Sequence, residues 1–208
     1  MRIEKLKTTP DRAGRYWITL DNGEKLALYR QTVEDFALYT GKELSNEEWE
    51  ALLESAGKMS ARMRAVRIVT ASAVSKRDLQ ERLVRKGEDP TQAREAVDWM
   101  ESLSLVDDRK TAEHVVENCI RKGYGLSRAK QALYEKRIPK ELWDDVLADY
   151  PDQIDKITQY LSTRLTDPED EKQVRRAIDA LIRRGHRYAD IRHALSNLSI
   201  DQDQFPEE

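Results

Sequence analysis

The fold is decided by a short segment that occurs twice in the second half of the chain, as IRKGY at residues 120–124 and as IRRGH at residues 182–186. Each copy is followed, at the same spacing, by an Ala-Leu pair at 132–133 or 194–195. A glycine directly after a basic pair is typical of a helix end, because the glycine adopts the left-handed conformation and the cations complement the helix dipole. The recurrence therefore predicts a helical unit that is used more than once.

A weaker third copy of this unit lies upstream. It is seen in equivalent positions at constant register, which are Val66, Leu83 and Lys86 in one copy and Val116, Leu133 and Lys136 in the next. Repeated small helical units usually stack, because one helix pair cannot bury its apolar face alone. The sequence thus predicts a mainly α fold, an elongated tandem array of three-helix repeats.

The first thirty residues follow a different pattern. Residues 16–20 and 25–29 are rich in β-forming residues and flank Asn22-Gly23, which is expected to supply the positive φ angles of a tight hairpin turn. Residues 3–8 alternate apolar and polar side chains, which indicates a third strand. We therefore expect a small N-terminal β-hairpin region before the helical array.

Helix boundaries are marked by capping residues. Ser45 and Glu48 form a capping box, Asp89 and Asp167 each precede a proline, and Ser75 and Ser127 are candidate N-caps; Gly57 is a candidate break. Helices are expected near 59–72, 75–86, 90–103, 108–122, 126–136, 139–149, 151–165, 168–184 and 187–197. The predicted domains are a hairpin region with a short helix (1–44), a helical region with repeat 1 (45–107), repeat 2 (108–150), repeat 3 with a truncated third helix (151–200) and an acidic tail (201–208).

Charge is segregated along a chain whose formal net charge is only −3. Residues 60–87, 109–140 and 172–192 are strongly basic, whereas residues 88–108 and 141–171 are strongly acidic. Such alternation could form a basic face that attracts a polyanion. Charged helices that pair internally and are solvated would give the same composition, so both interpretations stay open.

Basic residues at successive helix ends, and on the helices that follow them, are the candidate binding residues. Capping alone explains each pair at a helix end, whereas a track of such pairs would bind phosphates or an acidic protein groove. The candidates are Lys76, Arg77, Arg85, Lys86, Arg121, Lys122, Arg128, Lys130, Arg183, Arg184 and Arg192.

No catalytic or metal-binding motif is present in the sequence. His114, His186 and His193 are too few and wrongly spaced for a zinc site, and the glycines do not form a phosphate-binding loop. Cys119, the only cysteine, lies on an apolar helical face and is expected to be buried rather than reactive. We expect no enzyme activity, cofactor or metal, and, because no apolar run approaches the ~18 residues of a membrane helix, a cytoplasmic protein with no membrane partner.

An ordered set of motifs resembles the RecX family, bacterial regulators of the RecA recombinase. The set consists of Ser75-x-x-Asp78-Leu79-x-x-x-Leu83-x-x-Lys86-Gly87, Leu105-Val106-Asp107-Asp108-x-x-x-Ala112, Arg121-Lys122-Gly123-Tyr124-Gly125 and Leu133-x-x-Lys136-x-Ile138. The resemblance is closest over residues 61–150. Two positions depart from the family pattern, because Arg137 replaces a frequent glycine and Asp78 a more usual glutamate.

This resemblance implies an elongated stack of three-helix units that lies in the groove of the RecA–DNA filament and inhibits the recombinase, ATPase and coprotease activities of RecA. The expected partners are the RecA filament and single- or double-stranded DNA, bound weakly and in a salt-sensitive way by a monomer. A helix-turn-helix transcriptional regulator is the alternative, because residues 112–133 fit that motif, with Arg128, Lys130 and Gln131 at base-reading positions. A helical scaffold with no nucleic-acid contact is a third possibility.

Overall fold

The structure, a computed structural model, describes residues 1–198 and residue 200. The chain divides into two units, Met1–Val106 and Asp107–Glu208. Apart from one small sheet, the regular structure of the described residues is helical, so the predicted mainly α class is confirmed. The predicted acidic tail, residues 201–208, lies outside the described residues.

The first unit begins with a three-stranded antiparallel sheet in the order β1-β2-β3. Its strands are β1 (Ile3–Leu6), β2 (Arg15–Leu20) and β3 (Lys25–Tyr29). The predicted hairpin is formed by β2 and β3, which pair from Arg15 opposite Tyr29 to Thr19 opposite Lys25. The predicted third strand is β1, which pairs with the other edge of β2.

The hairpin turn differs in detail from the prediction. Gly23 has a φ of +85°, and its amide donates to the Leu20 carbonyl at 2.9 Å. Asn22 does not share the positive φ; its side-chain oxygen accepts a hydrogen bond from the Glu24 amide at 2.9 Å. The loop is therefore a three-residue turn in which glycine alone takes the left-handed conformation.

Helix α1 (Arg30–Asp35) is followed by α2 (Asn46–Ala71), which has 26 residues. The predicted capping box at Ser45 starts α2, but the predicted break at Gly57 is wrong. Leu52 packs in the core of the sheet, whereas Ala61 belongs to the helical core that follows. Burial on both sides of Gly57 outweighs the ~1 kcal/mol that a glycine costs inside a helix, so one helix serves two cores.

Two further helices complete the first unit. Helix α3 (Lys76–Arg85) begins at the predicted cap Ser75, and α4 (Pro90–Ser102) begins at the predicted cap Asp89. They pack with the second half of α2 around Leu79, Leu83 and Met100, which are fully buried.

The second unit contains six helices within its described residues. The first group is α5 (Asp108–Arg121), α6 (Leu126–Glu135) and α7 (Trp143–Leu147), with a 3-10 turn at Lys140–Leu142. Their core contains Val116, Leu133 and Ile138. The predicted N-cap Ser127 lies inside α6, because Gly125 caps this helix instead.

The second group is α8 (Ile154–Arg164), α9 (Glu171–Arg183) and α10 (Tyr188–Asn197). These helices share a core that includes Leu161 and Leu181. Helix α9 begins three residues later than predicted. Its N-cap is Asp170, whose carboxylate accepts from the amides of Lys172 and Gln173, whereas Asp167 accepts from the Glu169 amide in the preceding turn.

Candidate anion-binding cleft

Three helices of the chain, α3, α5 and α9, end in the same way. The glycines that follow them are left-handed, with φ values of +90°, +65° and +83° at Gly87, Gly123 and Gly185. In each end the glycine amide and the next amide donate back to carbonyls of the last helical turn, as with Gly123 to Ile120 at 3.0 Å and Tyr124 to Cys119 at 3.0 Å. The repeated sequence segment is therefore a repeated helix stop, and a cation precedes each glycine.

The two helix stops of the second unit contact each other directly. The Gly125 amide donates to the Arg184 carbonyl at 2.9 Å, and the Ser127 amide donates to the Gly185 carbonyl at 3.3 Å. His186 Nε2 donates to the Gly123 carbonyl at 3.0 Å. We call this contact between the α5–α6 loop with the start of α6 (122–127) and the α9–α10 loop (184–187) the loop joint.

Glycine is required at the loop joint for space. A Cβ atom on Gly125 would lie 2.0 Å from the Gly185 carbonyl oxygen, and one on Gly185 would lie 2.3 Å from the Arg128 amide nitrogen. Both atoms belong to the backbone, which cannot swing aside as a side chain can. The two loops can therefore approach this closely only because neither position carries a side chain.

The loop joint brings basic residues from α5, α8 and α9 around one cleft of about 340 Å³. Four of its lining residues are cationic, namely Arg121, Lys122, Lys156 and Arg184. The other lining residues are Gly123, Gln159, Tyr160, Thr163, Leu181 and His186, which are uncharged or weakly basic. No described residue that lines the cleft is acidic. Such a site attracts anions.

An aromatic ring lies among these cations. The guanidinium of Arg184 is 4.8 Å from the centre of the Tyr160 ring, and that of Arg164 is 5.8 Å from it. Lys156 on α8 donates a hydrogen bond to the Ile120 carbonyl at the end of α5, so the two helices are in direct contact beside the cleft. The cleft thus combines positive charge with a ring that carries stacked arginines.

Sequence reasoning missed Lys156, Tyr160 and Arg164. Lys156 and Arg164 are the only bases in the acidic segment 141–171, so the segment as a whole was assigned to the acidic side. A signal was nevertheless present, because the three residues are four positions apart and therefore lie on one face of a helix.

The other predicted residues of the second unit lie apart from the cleft lining. Arg128 forms an ion pair with Glu135 at 3.1 Å. Lys130 and Arg183 are exposed, and Arg192 is half-buried on α10. The cleft therefore gathers Arg121, Lys122 and Arg184 of the predicted set. The other four residues lie on α6 (Arg128 and Lys130), α9 (Arg183) and α10 (Arg192).

The predicted residues of the first unit have a different environment. Lys76 pairs with Glu101 at 2.8 Å, and Arg77 pairs with Glu81 at 3.1 Å. Arg85 and Lys86 are exposed at the end of α3, the position equivalent to Arg121 and Lys122 at the end of α5. Internal pairing thus accounts for Lys76 and Arg77, whereas the helix end presents its cations to solvent.

Burial determines the protonation of the neutral groups near the cleft. Desolvation lowers the pKa of His186 below its usual value, although the hydrogen bond to Gly123 opposes this shift. His186 is therefore neutral at neutral pH, with its proton on Nε2 facing the carbonyl. Burial also raises the pKa of Cys119, which is 5% exposed as predicted, so its thiol stays protonated and unreactive.

Within residues 1–198 and residue 200, no three His, Cys, Asp or Glu side chains are grouped so that they could hold a metal ion. The helices of that same part of the chain include none with the length and apolar character needed to cross a membrane.

Comparison with known proteins gives a consistent result. The family model described as "RecX, second three-helix domain" matches residues 107–147, which contain α5, α6 and α7. The chain is 26% identical to the regulatory protein RecX of Clostridioides difficile over 160 residues, 76% of this chain and 72% of that protein. It is 24% identical to the regulatory protein RecX of Streptococcus gordonii over 211 residues, 100% of this chain and 80% of that protein. The chain is thus similar to RecX regulatory proteins over most of its length.

The fold agrees with this similarity. A crystal structure of regulatory protein RecX superimposes with a TM-score of 0.62 at 19% sequence identity, covering 92% of this chain and 98% of the other. At that identity the likeness concerns the fold alone. The helical fold of that RecX structure therefore extends over nearly all of this chain.

Proposed function

We propose that this protein is a member of the RecX family and a non-enzymatic inhibitor of the RecA recombinase, which binds the RecA–DNA nucleoprotein filament and so modulates recombination, DNA repair and the SOS response. The observation that carries the proposal is the cleft at the loop joint. Two equivalent helix ends, each expected to be basic for capping reasons alone, contribute cations to one concave site. Capping does not require the two ends to meet, whereas binding of an anionic filament benefits when they do.

The charge of the cleft supports an anionic partner. The ends of α5 and α9 carry roughly half a negative charge each from their dipoles, which would repel phosphate. Four cations line the same space, so their positive charge clearly exceeds the negative partial charge of the two helix ends. Phosphates that bind there would release condensed counterions, which makes the interaction salt-sensitive.

We extend the proposal to the other basic helix end. Arg85 and Lys86 directly precede the stop glycine Gly87 at the end of α3, so the three predicted repeats would each offer one basic helix end to the filament. The proposal also includes the division into repeats at residues 45–107, 108–150 and 151–200, and a monomeric, cytoplasmic state.

The helix-turn-helix alternative is weakened by the position of α6. A recognition helix reads bases with its N-terminal residues in the major groove. The start of α6 is covered by the α9–α10 loop, because Gly125 and Ser127 donate to the carbonyls of Arg184 and Gly185. Arg128, one of the expected base readers, is paired with Glu135. A binding mode in which α6 enters the groove by its N-terminus would require this loop to move away.

A strand-exchange assay with purified RecA tests the proposal. The protein should slow exchange in a concentration-dependent way, and the inhibition should weaken steeply as salt is raised. Unchanged exchange with the protein in excess over RecA would contradict it. Binding of a specific duplex sequence far more tightly than the RecA filament would favour the transcriptional alternative.

A further inference from the structure

We propose that the cleft binds one unpaired nucleotide of a DNA single strand, with the phosphate on its cations and the base against the Tyr160–Arg184 pair. This inference rests on the proposed function, because it names the DNA component that the same site takes. The aromatic ring in the cleft carries the argument, since binding of phosphate alone would not need it.

The ring and the arginines form a surface suited to a flat base. Tyr160 lines the cleft, and the Arg184 guanidinium lies 4.8 Å from its centre. Guanidinium groups are planar and weakly hydrated, so they stack on bases as aromatic rings do. Proteins that hold single strands combine such stacking surfaces with a basic groove. A carboxylate of an acidic peptide would use the cations but not the ring.

The phosphate would lie next to this surface. Lys122 is exposed at the end of α5, and Lys156 is exposed on α8. Both line the cleft together with Arg121, without a competing carboxylate among the lining residues. Cations and ring therefore share one concave space.

The size of the cleft favours one unpaired nucleotide over a duplex. A volume of about 340 Å³ is at the small end of the range for sites that enclose a ligand. The bases of a duplex are paired and stacked on one another, so their faces are unavailable unless a base is unstacked at a cost. A single strand can present the face of a base without that cost.

The test compares three fluorescently labelled probes by anisotropy on the full-length protein. The probes are oligo-dT, an abasic oligonucleotide with the same number of phosphates, and a duplex of equal length. Oligo-dT should bind about tenfold more tightly than the abasic strand, in line with measured base–aromatic stacking. Equal affinity for these two strands would overturn the proposal, because charge alone would then explain binding.

Variants localise the effect. Tyr160→Leu keeps an apolar side chain against the core and should remove the preference for oligo-dT while leaving abasic affinity unchanged; Tyr160→Phe should keep the preference. Arg184→Lys keeps the charge but not the planar group and should reduce the preference. Tyr134→Leu is the matched control, because Tyr134 also has an arginine near its ring, Arg137 at 5.9 Å, but does not line the cleft.

Three results would count against the inference. The first is a preference for oligo-dT over the abasic strand that survives Tyr160→Leu in a folded variant, and the second is a loss of that preference in Tyr134→Leu. The third is displacement of oligo-dT by dTMP alone at comparable concentrations, which would assign the site to a free nucleotide. The RecA assay is run on the same variants. If the base preference is absent but the protein still inhibits RecA, only this inference fails; if the preference is present but RecA is unaffected, the proposed function fails.

Discussion

Gly125→Ala should strongly destabilise the second unit, because it forces the loop joint apart. Gly125 has an ordinary φ of −76°, so alanine can adopt its backbone conformation without strain. The new Cβ atom would lie 2.0 Å from the Gly185 carbonyl oxygen and 2.5 Å from the His186 amide nitrogen. Since ordinary contacts of a Cβ atom begin near 3.4 Å, the loops must separate by more than 1 Å.

The magnitude follows from the contacts that such a separation breaks. The loop joint contains hydrogen bonds from Gly125 to Arg184, from Ser127 to Gly185 and from His186 to Gly123. At about 1 kcal/mol each, their loss would lower the free energy of unfolding by about 3 kcal/mol. That loss corresponds to a decrease in melting temperature on the order of 10 °C for a protein of this size.

Thermal and urea unfolding followed by circular dichroism measure this effect. Gly57→Ala is the control, because the Cβ atom would there meet only the end of the Gln92 side chain, which can move. It should change the free energy of unfolding by less than about 1 kcal/mol. A Gly125→Ala variant as stable as Gly57→Ala would refute the view that backbone contact between the loops holds the cleft together.

The remaining predictions concern strain, pH and salt. Arg137 has a φ of +58°, so Arg137→Gly should raise the free energy of unfolding by about 0.5–1 kcal/mol. Gly87 has a φ of +90° and no atom within 4 Å of a new Cβ atom, so Gly87→Ala should lower the free energy of unfolding by about 1–2 kcal/mol through backbone strain alone. Urea unfolding measures both changes. Because burial lowers the pKa of His186, the unfolded chain binds the extra proton first. The free energy of unfolding should be highest above the usual histidine pKa of 6.5 and should decrease as pH falls from there through the lowered pKa. Urea titrations across that pH range should show this decrease in the unmodified protein and not in His186→Gln. The slope of log affinity for oligo-dT against log salt should become shallower by about 1.4 when Arg121 and Lys122 are both changed to Gln; an unchanged slope would mean that they do not contact phosphate.

Local sequence signals predicted most of the elements. Ser45, Ser75 and Asp89 cap helices as expected, because an N-cap requires only a side chain within three residues of the amides that it accepts from. The same locality misled at Asp167, where two acids three residues apart compete and the structure uses Asp170. Gly57 was misinterpreted because a glycine inside a helix is tolerated when distant residues bury both flanks.

The cleft could be predicted only in part. Arg121, Lys122 and Arg184 stand beside glycines that mark helix stops, so the sequence showed them as equivalent. That the two stops meet depends on contacts between residues about sixty positions apart, such as Gly123 and His186, and no local pattern reports these. The contribution of α8 was hidden for a similar reason, since its cations lie within an acidic segment.

The most direct test of the account measures RecA-mediated strand exchange with two charge-matched variants. Lys122→Gln with Arg184→Gln removes two cations from the cleft, and Lys172→Gln with Arg175→Gln removes two exposed cations from α9 that do not line it. The cleft variant should need a concentration about tenfold or more above that of the unmodified protein for equal inhibition, because the phosphate contact of Lys122 and the stacking group of Arg184 are lost, while the control variant should inhibit normally. A folded cleft variant that inhibits at the concentration of the unmodified protein would contradict the claim that this cleft engages the RecA–DNA filament.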